Sequence, residues 1–330
     1  MRLLIVKTSS LGDVVHALPA LSDAAAAQPG LIADWLVEQT FAEVPGWHPA
    51  VARVIRCDLR GWRRHPWRAL RGGDWVSFTG ELRAQPYDLI VDAQGLVKSA
   101  WLARRARGPL AGPDRRSARE PLASLFYDHR YAVPRHDRTH AVERARRLLA
   151  QALGYALPAT PPDAGLNRAG FPAPPAPGPY ALLLHGSSWP NKRWPPQRWA
   201  ELGRWLRRQG LTPAVPWGSS AEREDAQAIT AACDGLLLPR CDLSTLAGWL
   251  AHARCFVGVD TGLAHLGAAL GVPAVTLYGP TLPQLTGTLG AHQLHLADAA
   301  ARRIDRRRPL AIEVERVTAA VETLLRGGGQ

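Results

Sequence analysis

Short apolar runs alternate with segments of helical periodicity along most of the chain. Residues 3–6 form the first apolar run, a polar loop follows, and apolar residues then recur at helical spacing across residues 14–27. A continuous apolar run is typical of a strand buried on both faces, and repeated strand–helix alternation is typical of a parallel sheet covered by helices. We therefore predict an α/β fold.

The alternation runs through both halves of the chain. The first half predicts strands at 3–6, 34–38, 51–57 and 87–92 and helices at 14–27, 41–44, 75–84, 117–127 and 140–153. The second half predicts strands at 180–184, 212–216, 236–238, 256–259 and 275–278 and helices at 197–209, 243–251 and 313–326, with further helices from 221 and 263. Two such halves predict two Rossmann-like α/β domains that face each other across a cleft.

A proline-rich stretch separates the halves. Residues 166–179 end in PAPPAPGP, which is typical of a stiff, extended linker. We therefore predict an N-terminal domain at residues 1–165 and a C-terminal domain at residues 180–330. The amphipathic pattern of the terminal helix, 313–326, leaves open that this helix packs back on the N-terminal domain.

The composition indicates which classes of protein the chain can belong to. No run of about 18 apolar residues occurs, so no membrane-spanning helix is expected, and the N-terminus lacks the pattern of a signal peptide. The four cysteines show no metal-ligand spacing, which favours a reducing compartment. The net charge of +12 predicts an anionic partner, which can be a nucleic acid, a membrane surface or a substrate.

Residues 58–71 concentrate part of this charge together with tryptophan. Arginine forks bind phosphates and tryptophan favours membrane interfaces, so the segment predicts a patch for nucleic acid or anionic lipid, with a solvated loop as the alternative. Its arginines and tryptophans are Arg60, Arg63, Arg64, Arg68, Arg71, Trp62 and Trp67.

The strongest candidate for a ligand site is the turn that follows the apolar run at 256–259. Asp260, Thr261 and Gly262 form the turn, and His265 falls in the first turn of the next helix. Open α/β sheets bind ligands at such strand ends, where loop amides and a helix N-terminus converge. Asp260 or Thr261 could instead only cap the helix, but capping alone does not require His265 on the same side.

Two further turns carry polar residues after predicted strands. Gly12 lets a substrate approach the backbone, and Asp13 is either a helix cap or a functional carboxylate. Lys98 belongs to the glycine-containing turn at 93–99. The sequence has no GxGxxG, no GxxxxGK[ST] and no DxD pair, so a sugar-nucleotide enzyme on this fold must neutralise a diphosphate with protein groups alone.

Several of these stretches match one known family. The chain resembles the ADP-heptose:lipopolysaccharide heptosyltransferases, which are glycosyltransferases of the GT-B fold, over nearly its whole length. AREPLASLFY and DAQGLVKS look like the corresponding stretches of the heptosyltransferase I group within that family. The other matching stretches are KTSSLGDVVHALPAL, HAVER, LLLHGSSWPNKRWP, PWG with Glu222, and VDTGLAHL followed by YGPT.

The resemblance implies an activity and a set of site residues. It implies transfer of L-glycero-D-manno-heptose from ADP-heptose to the first Kdo of Kdo2-lipid A, with inversion at the anomeric carbon and without a metal or other cofactor. Asp13 would act as the base, and Lys192 would hold the diphosphate together with the amides of the 261–262 turn. The donor-binding residues would be Ser187, Ser188, Lys192, Glu222, Cys241, Asp260, Thr261, Gly262 and His265. The acceptor-binding residues would be Ser10, Gly12, Arg60, Arg63, Arg64, Lys98, Arg119, His140 and Arg144.

The resemblance also implies a location and some departures from the family. Kdo2-lipid A carries carboxylates and phosphates at the cytoplasmic face of the inner membrane, so the basic residues would contact both the acceptor and the membrane surface. Glu222 would bind the ribose. Ser187 and Ser188 stand where related enzymes often carry threonines, and Cys241 stands where a methionine near the adenine is common.

Three alternatives are weaker. One is a related heptosyltransferase, or another GT-B sugar transferase, with a different acceptor. A nucleic-acid-binding protein would explain the charge, but no basic-helix or RNP-type motif supports it. A sugar-nucleotide epimerase of the same fold would have no need of a lipid-facing basic surface.

Overall fold

The computed structural model describes residues 1–64, 73–297 and 310–327. It divides into two compact units, Met1–Leu166 (unit 1) and Asn167–Gln330 (unit 2). In its described part each unit holds a sheet of six strands, all of them parallel to their neighbours. The predicted α/β class is therefore confirmed, with one parallel sheet in each unit.

Unit 1 begins directly with a strand. Its strands are β1 (Arg2–Val6), β2 (Ile32–Glu38), β3 (Val51–Cys57), β4 (Leu89–Asp92), β5 (Leu110–Pro113) and β6 (His129–Tyr131). Its α-helices are α1 (Leu11–Ala27), α2 (Glu43–Gly46), α3 (Leu59–Arg64), α4 (Asp74–Arg83), α5 (Val97–Ala103) and α6 (Ala141–Leu153). Two 3₁₀ helices lie at Gln39–Phe41 and Pro121–Phe126.

Unit 2 repeats the alternation. Its strands are β7 (Tyr180–Leu184), β8 (Thr212–Val215), β9 (Leu236–Leu237), β10 (Cys255–Val259), β11 (Ala274–Tyr278) and β12 (Gln293–Ala297). Its α-helices are α7 (Pro196–Arg208), α8 (Ser220–Cys233), α9 (Leu243–His252), α10 (Gly262–Ala269), α11 (Pro283–Thr286) and α12 (Val314–Gly327). Two 3₁₀ helices lie at Arg168–Gly170 and Pro190–Lys192.

The two sheets have the same strand order. It runs β3-β2-β1-β4-β5-β6 in unit 1 and β9-β8-β7-β10-β11-β12 in unit 2. The order reverses between β1 and β4 and, equivalently, between β7 and β10. In open α/β sheets the loops at the carboxyl ends of two such strands diverge and leave a crevice for a ligand. Each unit is therefore built to bind something at the reversal.

The apolar runs of the sequence form the centres of the two sheets. Leu4 and Val6 of β1 lie in the core of unit 1, and Val257 and Val259 of β10 lie in the core of unit 2. These strands are continuously apolar because helices cover both faces of a parallel sheet. Within the described ranges, no helix combines the length and apolar content required to cross a bilayer.

The first helix begins earlier than predicted. Residues 11–13 were expected in a loop, but α1 starts at Leu11 with Ser10 as its N-cap residue. The Asp13 carboxylate accepts hydrogen bonds from the Ser10 backbone N–H at 2.9 Å and from the Ser10 hydroxyl at 3.0 Å. These bonds fasten the first helical turn, so Gly12 and Asp13 lie inside the helix.

The other errors of the prediction concern short helices and strands. The helix expected at 117–127 is reduced to the 3₁₀ helix Pro121–Phe126, because Pro121 suits only the first turn of a helix. Strands β5, β6 and β12 were not predicted. β5 has the sequence LAGP, whose glycine and proline are unusual in a strand and tolerated near sheet edges.

The segment expected to be a linker is attached to unit 2 in its first part. The Arg168 guanidinium donates to the carbonyl oxygens of Ala251 at 2.5 Å, Ala253 at 3.4 Å and Gly271 at 3.4 Å. The terminal helix α12 likewise buries Val317 in the core of unit 2. Its apolar face therefore packs within unit 2. The sequence analysis had left open that this helix packs on the N-terminal domain.

A buried ion pair ties α6 to α1. The Arg146 Nε atom lies 2.6 Å from an Asp23 carboxylate oxygen, and both side chains are almost fully buried. Arg146 also donates to the carbonyl oxygens of Pro158 and Thr160. Every buried charge of this pair thus has a partner.

We predict that Asp23→Ala lowers the free energy of unfolding by about 3–5 kcal/mol, because it leaves the Arg146 charge buried without its counter-ion. Urea denaturation followed by circular dichroism measures the change. The matched control is Glu143→Ala, which removes the half-buried partner of the exposed Arg147 on the same helix. It should cost about 0.5 kcal/mol or less. Equal losses in both variants would contradict the prediction.

Candidate functional site

Each unit places polar side chains at the reversal of its strand order. In unit 1 the loop after β1 carries Lys7 and leads to Asp13, and the loop after β4 carries Gln94 and Gly95. In unit 2 the loop after β7 carries Lys192, and the turn after β10 carries Asp260. Both groups sit at the carboxyl ends of parallel strands, as the sequence predicted.

Asp13 is the central carboxylate of the unit 1 site. One of its oxygens accepts the two hydrogen bonds from Ser10, and the other lies 3.9 Å from the Lys7 ammonium. The predicted capping role is confirmed, and it uses one oxygen only, so it does not exclude the functional role that the sequence left as the alternative. The other oxygen faces a cation.

The charges around Asp13 keep it ionised. Burial alone would raise its pKa, but the Lys7 ammonium, the hydrogen bonds from Ser10 and the Arg119 guanidinium together hold the pKa below the usual range of an aspartate. Burial in turn lowers the pKa of Lys7, although Asp13 and Asp92 oppose that shift. The Lys7 ammonium also donates to the Ala93 carbonyl oxygen at 3.0 Å, which ties the β1 loop to the β4 loop.

Two predicted acceptor residues share the electrostatic environment of Asp13. Burial lowers the pKa of Arg144, and repulsion from Arg119 lowers it further, while Asp13 partly offsets both effects. Arg144 donates to the Pro134 carbonyl oxygen at 2.9 Å, so its position is fixed. Gly95 has φ +67°, and a Cβ there would lie 3.3 Å from the Arg119 backbone nitrogen. The glycine thus allows the β4 loop to approach Arg119 closely.

His140 has a structural role in addition to its predicted one. It is the N-cap residue of α6, and its Nδ1 atom accepts a hydrogen bond from the Val142 N–H. Its ring also packs edge-on against His16 of α1, with 5.4 Å between the ring centroids.

The remaining predicted acceptor residues lie on two helices of unit 1. Arg60, Arg63 and Arg64 belong to α3, and Lys98 is exposed on α5. The buried carboxylate of Glu38 accepts from the first N–H groups of α3, those of Leu59 and Arg60. Glu38 therefore fixes the start of the helix that presents the three arginines. Trp67, Arg68 and Arg71 of the same predicted patch lie outside the described residues.

Asp260 is the central carboxylate of the unit 2 site. It lies 2.7 Å from the Lys192 ammonium, accepts a hydrogen bond of 2.6 Å from the Thr281 hydroxyl and lies 3.2 Å from His265 Nε2. Burial would raise its pKa, yet His265 and Lys192 hold it far below the usual range. The carboxylate is thus held in its ionised form, and each of its two oxygens has at least one side-chain partner.

Helix α10 begins at this site without a side-chain cap. Thr261 is the N-cap residue but forms no capping bond, and the Asp260 side chain turns to Lys192, Thr281 and His265 instead. The alternative that these residues only cap the helix is therefore wrong. A helix N-terminus beside an ammonium group suits an anionic ligand.

The other predicted donor residues lie on loops of the same unit. Ser187 is buried and accepts from the Trp189 N–H, whereas Ser188 is exposed. Glu222 accepts from the Gly218 and Ser219 N–H groups at the start of α8, and a Cβ on Gly186 would lie 2.7 Å from its other oxygen. Glu222 thus connects the loop after β7 to the one after β8.

Cys241 lies in the loop before α9. Its side chain is half-buried, and its thiol donates to the Pro239 carbonyl oxygen. Nothing else in the described structure distinguishes it from an ordinary loop cysteine.

Two residues of these sites were not predicted. Lys7 contacts Asp13, and Thr281 contacts Asp260. The signal for Lys7 was its rarity, since the chain has three lysines and each follows a strand. Thr281 lies 21 positions after Asp260 in the sequence. The two residues meet because they follow β10 and β11, which are paired in the sheet. Within the described ranges, no group of three or more His, Cys, Asp or Glu side chains is placed to hold a metal ion.

Comparisons with known proteins agree on one family. Residues 75–311 match the family described as glycosyltransferase family 9 (heptosyltransferase). The chain is 52% identical to lipopolysaccharide heptosyltransferase 1 of Pseudomonas aeruginosa over 298 residues, which are 90% of this chain and 83% of that protein. Escherichia coli heptosyltransferase WaaC with ADP has 42% identity and a TM-score of 0.90, covering 98% of this chain and 100% of that one. The same protein with ADP-2-deoxy-2-fluoro heptose has 41% identity and a TM-score of 0.87, covering 98% and 99%.

We predict that Lys7→Met raises the pKa of Asp13. Removing a positive charge 3.9 Å away destabilises the carboxylate, so protonation occurs at a higher pH. Carbon-13 NMR titration of the aspartate carboxyl groups measures the shift. Lys98→Met is the control, because Lys98 does not contribute to the low pKa of Asp13. An unchanged titration of Asp13 in Lys7→Met would contradict the prediction.

Proposed function

The chain belongs to glycosyltransferase family 9 (heptosyltransferase), and on that basis we propose that it transfers L-glycero-D-manno-heptose from ADP-heptose to the first Kdo of Kdo2-lipid A. The step belongs to the synthesis of the lipopolysaccharide inner core. The observation that carries the proposal is the likeness, over 98% of this chain, to a heptosyltransferase solved with ADP and with an ADP-heptose analogue.

The unit 2 site suits the donor. The diphosphate of ADP-heptose needs positive charge, which Lys192 and the N-terminus of α10 supply. In the free protein Lys192 is paired with Asp260, so the diphosphate shares or replaces that partner. Ser187 and Ser188 would add hydroxyl donors, Glu222 would bind the ribose, and Cys241 would lie near the adenine.

The unit 1 site suits an anionic acceptor. Kdo is a sugar acid, and lipid A carries phosphates, so both attract arginine and lysine side chains. Arg119 and Arg144 lie in the electrostatic environment of Asp13, which is where a Kdo carboxylate would be bound next to the base. Ser10, Gly12, Lys98, His140 and the α3 arginines would complete the acceptor site.

The proposed reaction is an inverting displacement without a metal. The acceptor hydroxyl oxygen attacks the anomeric carbon, the bond from that carbon to the phosphate oxygen breaks, and ADP leaves with the electron pair. The hydroxyl proton goes to the Asp13 oxygen that does not accept from Ser10. Because the low pKa of Asp13 makes it a weak base, it accepts the proton once the new bond has made the hydroxyl acidic. Lys192 and the α10 N-terminus stabilise the charge that develops on ADP.

The acceptor determines where the reaction takes place. Kdo2-lipid A is anchored in a bilayer by its acyl chains, so the protein would work as a peripheral protein at the cytoplasmic face of the inner membrane. The alternative is a related heptosyltransferase or another GT-B transferase whose acceptor differs, and the unit 1 arginines would then bind another anionic glycan.

An acceptor comparison tests the proposed function. The protein is incubated with ADP-heptose and either Kdo2-lipid A or an acceptor that already carries its first heptose, with and without EDTA, and products are identified by mass spectrometry. We expect transfer to Kdo2-lipid A alone, at a rate that EDTA does not change. Preference for the heptosylated acceptor would support the alternative, and activity lost in EDTA and restored by Mg²⁺ would contradict the metal-independent mechanism.

We predict that Asp13→Asn lowers kcat by about 10²–10⁴-fold, the usual contribution of a general base, while the Kd for ADP-heptose stays unchanged. Asparagine retains an oxygen that can accept from Ser10, so the start of α1 is preserved. Single-turnover kinetics and calorimetric donor binding measure the two quantities. A parallel loss of donor binding would instead make Asp13 a structural residue.

A further inference from the structure

The proposed sites leave unexplained a group of exposed apolar side chains on unit 1. Leu122 and Leu125 of the 3₁₀ helix Pro121–Phe126 are 63% and 70% exposed, and Trp101 of α5 is 39% exposed. Ordinary folding does not require large apolar side chains to remain this accessible to water. We therefore expect that a binding partner covers this group of side chains.

These side chains are held in fixed positions on two packed elements. Residues three apart in a 3₁₀ helix eclipse each other, so Leu122 and Leu125 point to one side while Ala123 and Ser124 are buried. The 3₁₀ helix packs against α5, and the Glu120 carboxylate accepts from the Val97 N–H at the start of α5. Trp101 is stacked on Trp75, with 5.2 Å between ring centroids.

Cations surround the apolar side chains. Lys98 lies three residues before Trp101 on α5, the Arg105 guanidinium lies 4.6 Å from the centroid of the Trp101 ring, and Arg130 donates to the Ser124 carbonyl oxygen. None of these three cations has an ion-pair partner among the residues that the structure describes. The neighbouring acids are already engaged, Glu120 by the Val97 N–H and Asp128 by Arg104.

The surface adjoins the unit 1 site. Arg119, which helps to keep Asp13 ionised, precedes Leu122 by three residues. The Glu120 N–H donates to the Gly95 carbonyl oxygen at 3.0 Å, so the 3₁₀ helix begins next to the loop after β4. A ligand whose anionic sugars occupy the Asp13 site thus has its continuation next to the exposed leucines.

We propose that Trp101, Leu122 and Leu125, with Lys98, Arg105 and Arg130, form the surface by which the protein rests on an anionic phospholipid bilayer. The leucines enter the acyl boundary, Trp101 lies at the level of the headgroups, and the cations contact lipid phosphates. The proposal rests on the proposed function in one respect, that the acceptor is itself anchored in a bilayer. Exposed apolar side chains next to these cations suit an anionic lipid surface, because such a surface offers both acyl chains and phosphates. A purely apolar partner would gain nothing from the cations.

Vesicle flotation of the full protein tests the proposal. The vesicles contain phosphatidylethanolamine with phosphatidylglycerol, and phosphatidylcholine vesicles provide the neutral comparison. We expect binding to the anionic vesicles that weakens at high salt. Leu122→Asp with Leu125→Asp should reduce the bound fraction at least about tenfold, since two charged side chains cannot enter the acyl boundary. Arg105→Glu should reduce it on anionic vesicles alone.

The control is Ile32→Asp, which also charges an exposed apolar position of unit 1 but lies at the amino end of β2, away from this surface. It should bind vesicles like the unchanged protein, and thermal unfolding should show that this variant and the leucine variant are folded. Equal binding by the leucine variant and the unchanged protein would overturn the proposal. So would a dimer, seen by analytical ultracentrifugation, that the leucine substitutions dissociate, because the surface would then be covered by a second copy.

Turnover separates this proposal from the proposed function. With an acyl-free acceptor in solution the leucine variant should turn over like the unchanged protein, and with acceptor embedded in vesicles it should be slower at least about tenfold. Equal loss on both acceptors would overturn the membrane role of the surface. If the unchanged protein binds vesicles but transfers no heptose to either acceptor, the proposed function fails and the surface stands.

Discussion

The reversal of strand order is the constraint on which the rest of the structure depends. A parallel strand brings its carboxyl-end loop to one edge of the sheet, and only at a reversal do two neighbouring loops turn away from each other. Unit 1 has this reversal between β1 and β4, and unit 2 between β7 and β10. Asp13 with Lys7, and Asp260 with Lys192, lie at these two points, where the loops after neighbouring strands leave room for a ligand.

Burying a carboxylate at such a point requires an opposite charge and hydrogen bonds. Asp260 receives both from Lys192, His265 and Thr281, and Asp13 receives them from Lys7 and Ser10. In both cases the pKa falls although burial opposes ionisation. The compensation explains how the chain keeps both acids charged at neutral pH, although Asp260 is buried and Asp13 is half-buried.

The sequence predicted the class of fold and the strand-end turns because these depend on local patterns. Apolar runs such as β1 and β10 are recognisable by themselves, and a polar residue directly after such a run falls at a sheet edge. The order of strands, the contact of Thr281 with Asp260 and the short strands β5 and β6 depend on pairings between distant segments. Asp13 is the clearest example of what the sequence could not predict. Its two carboxylate oxygens have different partners, Ser10 and Lys7, and these contacts depend on the folded structure.

The two units use the same arrangement of charge, and this has a consequence for how substrates arrive. Lys7 follows the first strand of unit 1 and lies near Asp92, at the end of β4, as well as near Asp13. Lys192 follows the first strand of unit 2 and lies beside Asp260, at the end of β10. The positive charge of each lysine is thus neutralised by a nearby carboxylate before any ligand is bound. Its electric field is therefore weak beyond a few ångströms. The attraction that an anionic molecule in solution feels must therefore come from exposed cations such as the α3 arginines and Lys98. Because salt screens exposed charges, the rate of encounter should fall as the ionic strength rises.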